Sequence, residues 1–142
     1  MKLNNKFAIG CLVQWYEIEM IEEYIQSVRN SLELVDNKEN VILDFVLVTN
    51  QDLEKISDEM TMEQIEAKFI SLLPISSRIK YRVTDKLYTI ADYRRNFNEY
   101  YCDKVDVLMW GETDSLIPRQ TFQILDNLHS QVKNTTPKYV SF

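Results

Sequence analysis

The sequence predicts an α/β fold of three layers, α/β/α, built on a mainly parallel sheet. Three observations predict it. Short, almost wholly apolar runs at Phe7–Trp15, Val41–Thr49 and Val105–Trp110 read as strands buried on both faces. Between them, apolar residues recur at three- and four-residue spacing, the mark of one-sided helices. The two kinds of segment alternate, and alternation places helices over both faces of a parallel sheet. The 142 residues fit a single domain.

After the first strand, Ile21, Ile25, Val28, Leu32 and Val35 share one helical face, and Asp36-Asn37 ends the helix. Val41–Thr49 is interrupted only by Asp44. Thr49-Asn50-Gln51-Asp52 is a polar turn whose Asp52 can cap a short helix. Thr61 and Gln64 form a capping box opening a helix through Met62, Ile65, Phe69 and Leu72, and Pro74 stands where that helix should stop. Ile79, Tyr81 and Val83 alternate with Lys80 and Arg82, which predicts a half-exposed strand. Ile90, Tyr93, Phe97 and Tyr100 repeat at helical spacing. Val105–Trp110 runs into Gly111-Glu112-Thr113-Asp114, and Pro118 suits the first turn of the next helix. Phe122, Leu125, Leu128 and Val132 would be the buried face of that helix, and Lys138–Phe142 reads as a final strand.

Composition excludes several classes. A hydrophobic fraction of 45% suits a packed core and argues against disorder. The formal net charge of −6 argues against nucleic acid as a partner, since that needs a cationic surface. Cys11 and Cys102 lack metal-ligand spacing and read as two buried thiols in a reducing compartment. Lys2 and Lys6 precede the apolar run, but the run breaks at Gln14 and no small-residue cleavage site comes after it, so it reads as a strand rather than a leader. No stretch reaches the length of a transmembrane segment. A cytoplasmic location is the expectation. The two glycines, Gly10 and Gly111, are too few for a Gly-rich phosphate loop. Ligands of open sheets sit beyond the carboxyl ends of the strands, which here selects residues 14–19, 49–52 and 110–115.

Several features, in order along nearly the whole chain, resemble the family-2-like glycosyltransferases of GT-A (nucleotide-diphospho-sugar transferase) fold. Gln14-Trp15-Tyr16-Glu17 stands at the family's first-strand turn, where Tyr16 matches and the usual Pro and Asn are replaced. Asn50 and Asp52 stand where the second strand ends in Asp or Asn. Arg94-Arg95-Asn96 resembles the family's Ala-Arg-Asn element, with Arg95-Asn96 the best match. Glu112-Thr113-Asp114 occupies the place of its Asp-x-Asp motif, with Glu for the first Asp, and Pro118 stands shortly after it as it should. The resemblance implies the nucleotide-sugar-binding half of such an enzyme. Family members continue well beyond this length, and their later half supplies the acceptor site and the carboxylate base, so the chain is expected to be truncated.

The donor dictates the chemistry. Breaking a sugar–phosphate bond loads negative charge on the leaving diphosphate, and a divalent cation neutralises it. Carboxylates suit Mg²⁺ or Mn²⁺. Glu112 and Asp114, two apart, would point the same way in an extended chain, with Asp114 the direct ligand. A solvated turn in which Asp114 or Ser115 caps the next helix is the bland alternative. Tyr16, Glu17, Asn50, Asp52, Arg95 and Asn96 are the candidate contacts to the nucleotide. Packing for Trp15, capping for Asp52, and ion pairing of the arginines with Asp92 or Glu99 are their structural alternatives. The expected partners are a nucleotide-diphosphate sugar and a saccharide, lipid or protein acceptor, with a homo-oligomer or larger assembly left open. The competing reading is a non-catalytic α/β binding or assembly module.

Overall fold

The computed structural model describes residues 1–49, 60–73, 79–84 (as backbone) and 88–132. Its strands are β1 (Phe7–Gln14), β2 (Val41–Val48), β3 (Ile79–Thr84) and β4 (Val107–Gly111). Its helices are α1 (Ile21–Leu32), α2 (Met62–Leu72), α3 (Ile90–Tyr101) and α4 (Thr121–Val132). The short helix expected after Asp52, the Pro74 stop and the strand expected at Lys138–Phe142 lie outside the described residues.

All three ladders are parallel, in the order β3-β2-β1-β4. The chain builds outward from β1 through β2 to β3, then returns to place β4 on the other side of β1. The order therefore reverses between β1 and β4, the position at which open α/β sheets take their ligands.

The two-residue alternation of β1 sorts its side chains into two cores. Phe7, Ile9, Cys11 and Val13 join α1, α2 and α4. Ala8 and Leu12 join α3 through Tyr93, Phe97 and Tyr101. The predicted three layers are thus present, with α3 alone on its face among the described helices. Each large side chain buried completely in such a core contributes roughly 1.5–3 kcal/mol.

Local signals fix the helix ends. The predicted capping box is formed: Gln64 N donates to Thr61 Oγ1 at 3.2 Å and Thr61 N donates to Gln64 Oε1 at 3.0 Å. Arg29 Nη2 from α1 donates to the carbonyls of Leu72 and Leu73 at 2.7 and 3.0 Å, satisfying acceptors that a helix end leaves open. Asp92 N donates to Thr89 Oγ1, capping α3.

Several expectations need correction. Trp15 leaves the strand for a short 3₁₀ turn, Trp15–Glu17. Cys11 is buried as expected, but Cys102 is exposed, because it follows the last residue of α3 rather than facing the sheet. The buried face of α3 is Tyr93, Phe97 and Tyr101, leaving Ile90 and Tyr100 exposed. That of α4 is Thr121, Phe122, Leu125 and Asp126, with Leu128 and Val132 outside it. Pro118 stands three residues ahead of α4, and its carbonyl accepts from Thr121 N and Oγ1. Among the described residues no helix is long and apolar enough to cross a membrane.

Candidate functional site

At the β1–β4 switch the turns that leave the two strands lie side by side, and α3 contacts both strands. Cys11 of β1 pairs with Gly111, the last residue of β4. β1 then runs on to Gln14, so its terminal turn projects beside the acidic segment.

The two turns are joined directly. Glu17 accepts from Gln14 N at 2.8 Å through Oε2 and from Thr113 Oγ1 at 3.2 Å through Oε1. Thr113 is buried, while Glu112 and Asp114 are exposed. Glu17 therefore has both oxygens engaged in holding the turns together, a role that its place in the sequence does not reveal. Tyr16 is 65% exposed at the rim, its ring edge-on to Trp15 with centroids 5.4 Å apart. Trp15 packs against the main core, the structural alternative for it.

The acidic segment is a closed turn rather than an extended chain: Ser115 N donates to Glu112 O at 3.1 Å. Thr113 and Asp114 occupy its corners. Because α4 begins only at Thr121, neither Asp114 nor Ser115 caps it, but the turn is solvated, as the structural alternative has it.

The structure brings Arg94, not Arg95, to the acidic turn. Arg94 Nη2 is 2.9 Å from Glu112 Oε1, and the guanidinium lies over the Trp110 ring, 4.7 Å from its centroid. Arg95 is more exposed and pairs with Asp92 at 3.5 Å, the structural alternative for that residue. Helical phase explains the difference. With Tyr93, Phe97 and Tyr101 turned onto the sheet, each successive residue is rotated by about 100°. Arg94 thus lies beside the buried face, toward β4, and Arg95 lies opposite it. Asn96 is exposed and donates to the Tyr88 hydroxyl at 2.6 Å, while Gln14 Nε2 approaches the Tyr88 carbonyl at 3.5 Å. Asn96 thus supports the segment that touches the end of β1. Asn50 and Asp52 lie outside the described residues.

Beneath the site, burial pushes the Cys11 thiol well above its ordinary pKa. The nearby Glu17 and Glu112 carboxylates add to this and Arg94 opposes it. Such a thiol stays protonated and inert.

As for a cation, the exposed carboxylates of Glu112 and Asp114 are hard oxygen donors, that of Glu112 already paired with Arg94. Among the described residues no group of three His, Cys, Asp or Glu side chains converges on one point. An ion of the Mg²⁺ or Mn²⁺ kind held by these two side chains would have to complete its shell with water and phosphate oxygens.

A parallel sheet in this strand order with helices on both faces is a doubly wound α/β fold, and this one is structurally similar to a glycosyltransferase. The chain is similar to the crystal structure of S. aureus TarS, residues 1–349, a glycosyltransferase. The TM-score is 0.57 at 12% identity, over 90% of this chain and 33% of that one. The chain spans about a third of the length of that structure. No family model matches the sequence, and no curated protein matches it.

Proposed function

We propose that this chain is the nucleotide-sugar-binding part of a sugar transferase that holds its donor through a divalent cation at the β1–β4 switch. The observation that carries the reading is the Thr113–Glu17 hydrogen bond. It locks the acidic turn to the end of β1, at the switch point where open α/β sheets take ligands. Asp114 and Glu112 hold the cation, which supplies charge neutralisation for the leaving diphosphate. Arg94 adds forked hydrogen bonds to phosphate oxygens. Tyr16, exposed at the rim, offers an aromatic surface for the base. The likeness in fold to a glycosyltransferase supports the same reading. Transfer itself needs an acceptor site and a base, neither of which is assigned to a residue of this chain.

Calorimetry with UDP and Mn²⁺ tests the reading. Asp114→Ala should abolish metal-dependent binding while leaving the fold intact, since the side chain is exposed. Equal affinity in the two proteins rules the reading out.

A further inference from the structure

We infer that Arg94 is a transferable counter-ion: it neutralises Glu112 before ligands bind and passes to the diphosphate when a cation takes Glu112. The inference rests on the proposed nucleotide-sugar site and adds a coupling between its two ligands.

Arg94 has two anchors. One is the Glu112 carboxylate at 2.9 Å and the other is the face of Trp110. The indole is itself fixed to α3, because Trp110 Nε1 donates to Asn98 Oδ1 at 3.0 Å, and Asn98 lies one helical turn beyond Arg94. A guanidinium on an aromatic face keeps that attraction when it changes its hydrogen-bond partner. Arg94 therefore needs to release only the acid. The ion pair is open to water, with its side chains 28% and 54% exposed, and an exposed pair is easily broken.

The arrangement penalises either ligand alone. A cation that takes Glu112 leaves the Arg94 charge unpaired beside it. A diphosphate that takes Arg94 leaves the Glu112 charge unpaired beside an anion. With both ligands present every charge has a partner. Each ligand must then raise the affinity of the other by the same factor.

The test is calorimetry on the full chain with MnCl₂ alone, UDP alone, and UDP in saturating MnCl₂. It compares the unmodified protein, Arg94→Met and Glu112→Gln. In the unmodified protein Mn²⁺ should tighten UDP binding by about fivefold or more. Arg94→Met should bind Mn²⁺ alone about threefold more tightly, since the competing cation is gone. The same variant should bind UDP about tenfold more weakly, having lost charge-assisted hydrogen bonds. Glu112→Gln should bind UDP alone about threefold more tightly, because Arg94 is no longer held, and should gain less from Mn²⁺. A purely structural ion pair also changes affinities through the altered local charge, but it leaves the factor by which Mn²⁺ tightens UDP binding the same in both variants as in the unmodified protein. If the unmodified protein couples its ligands and both variants couple them by the same factor, the inference is overturned and the reading of the site stands. If the unmodified protein binds neither Mn²⁺ nor UDP, both are overturned. Should Arg94→Met fail to fold, Glu112→Gln, altered at an exposed side chain, decides the matter alone.

Discussion

Gly111 shows how tightly the acidic turn is tied to the core. A Cβ placed there would meet the hydroxyl and ring of Tyr24, which is only 1% exposed on α1 and has no free space to retreat into. Gly111→Ala should therefore cost about 1–3 kcal/mol by overpacking, measured by urea denaturation. It should also weaken UDP binding, because the displaced residue is joined directly to Glu112. Combining it with Tyr24→Phe, which removes the atom nearest the added methyl, should recover part of the loss. Strict additivity of the two changes would mean that no such contact exists. Nothing in the linear order of residues signals this partnership, which joins positions far apart in the chain. The acidic pair was legible only through the order of the motifs around it, because two carboxylates two residues apart carry little by themselves, and the half-exposed strand β4 before them is not the buried strand that its apolar run suggests. Which of the two arginines meets the acidic turn was not legible, since Arg94 and Arg95 differ only in which way the helix carrying them is turned.

Helical phase was also where the elements departed from their expected faces. Periodicity showed that α3 and α4 have one apolar side, but several apolar residues compete for it. In α4 the buried arc is centred between Phe122 and Asp126, and a reading that counts only apolar residues turns it toward Leu128 and Val132. Asp126 is 3% exposed and ties α4 to the segment entering β1. Its Oδ1 accepts from Asn5 N and Asn5 Nδ2, each at 2.9 Å, and from Asn4 N at 3.1 Å. Asp126→Ala would strand these donors and should destabilise the protein by about 3 kcal/mol. Asp126→Asn, which keeps one carbonyl oxygen, should lose less. Amide exchange at Asn5 should quicken in both. A stability for Asp126→Ala equal to that of the unmodified chain would show that the carboxylate anchors nothing.

The layered architecture was legible because β1 and β2 are buried on both faces and therefore read as continuous apolar runs, while the helices between them keep their own period. The order of the strands was not legible, since it depends on which side of β1 the chain returns to after α3. That return creates the switch point, and the layers on either side of it bury ionisable groups on both faces of the sheet. Cys11 and Tyr24 lie in the core shared with α1, and Tyr93 lies under α3. Burial raises all three above their ordinary values of 9.0 for the thiol and 10.0 for the phenols. Cys11 adds to the rise for Tyr24, and Asp44 leads the smaller contributions for Tyr93. For each group the folded pKa exceeds the unfolded one. The unfolded chain therefore sheds its proton first as pH rises, and above that point it binds fewer protons than the native state. The stability tied to these groups is complete below about pH 9 and declines as pH rises through the unfolded values. Each fully ionised unfolded group should then contribute a slope of about 1.4 kcal/mol per pH unit. Urea midpoints measured from about pH 7 to about pH 11 should fall progressively more steeply above about pH 9. Tyr93→Phe removes one titrating group along with the hydrogen bond from Tyr93 Oη to the Asp44 carbonyl, 2.8 Å long. The variant should be less stable near neutrality yet lose stability less steeply in alkali, so the two curves should converge. Parallel curves across the alkaline range would mean that Tyr93 ionises as readily in the folded protein as in the unfolded chain, and that the α3 face is not closed to water.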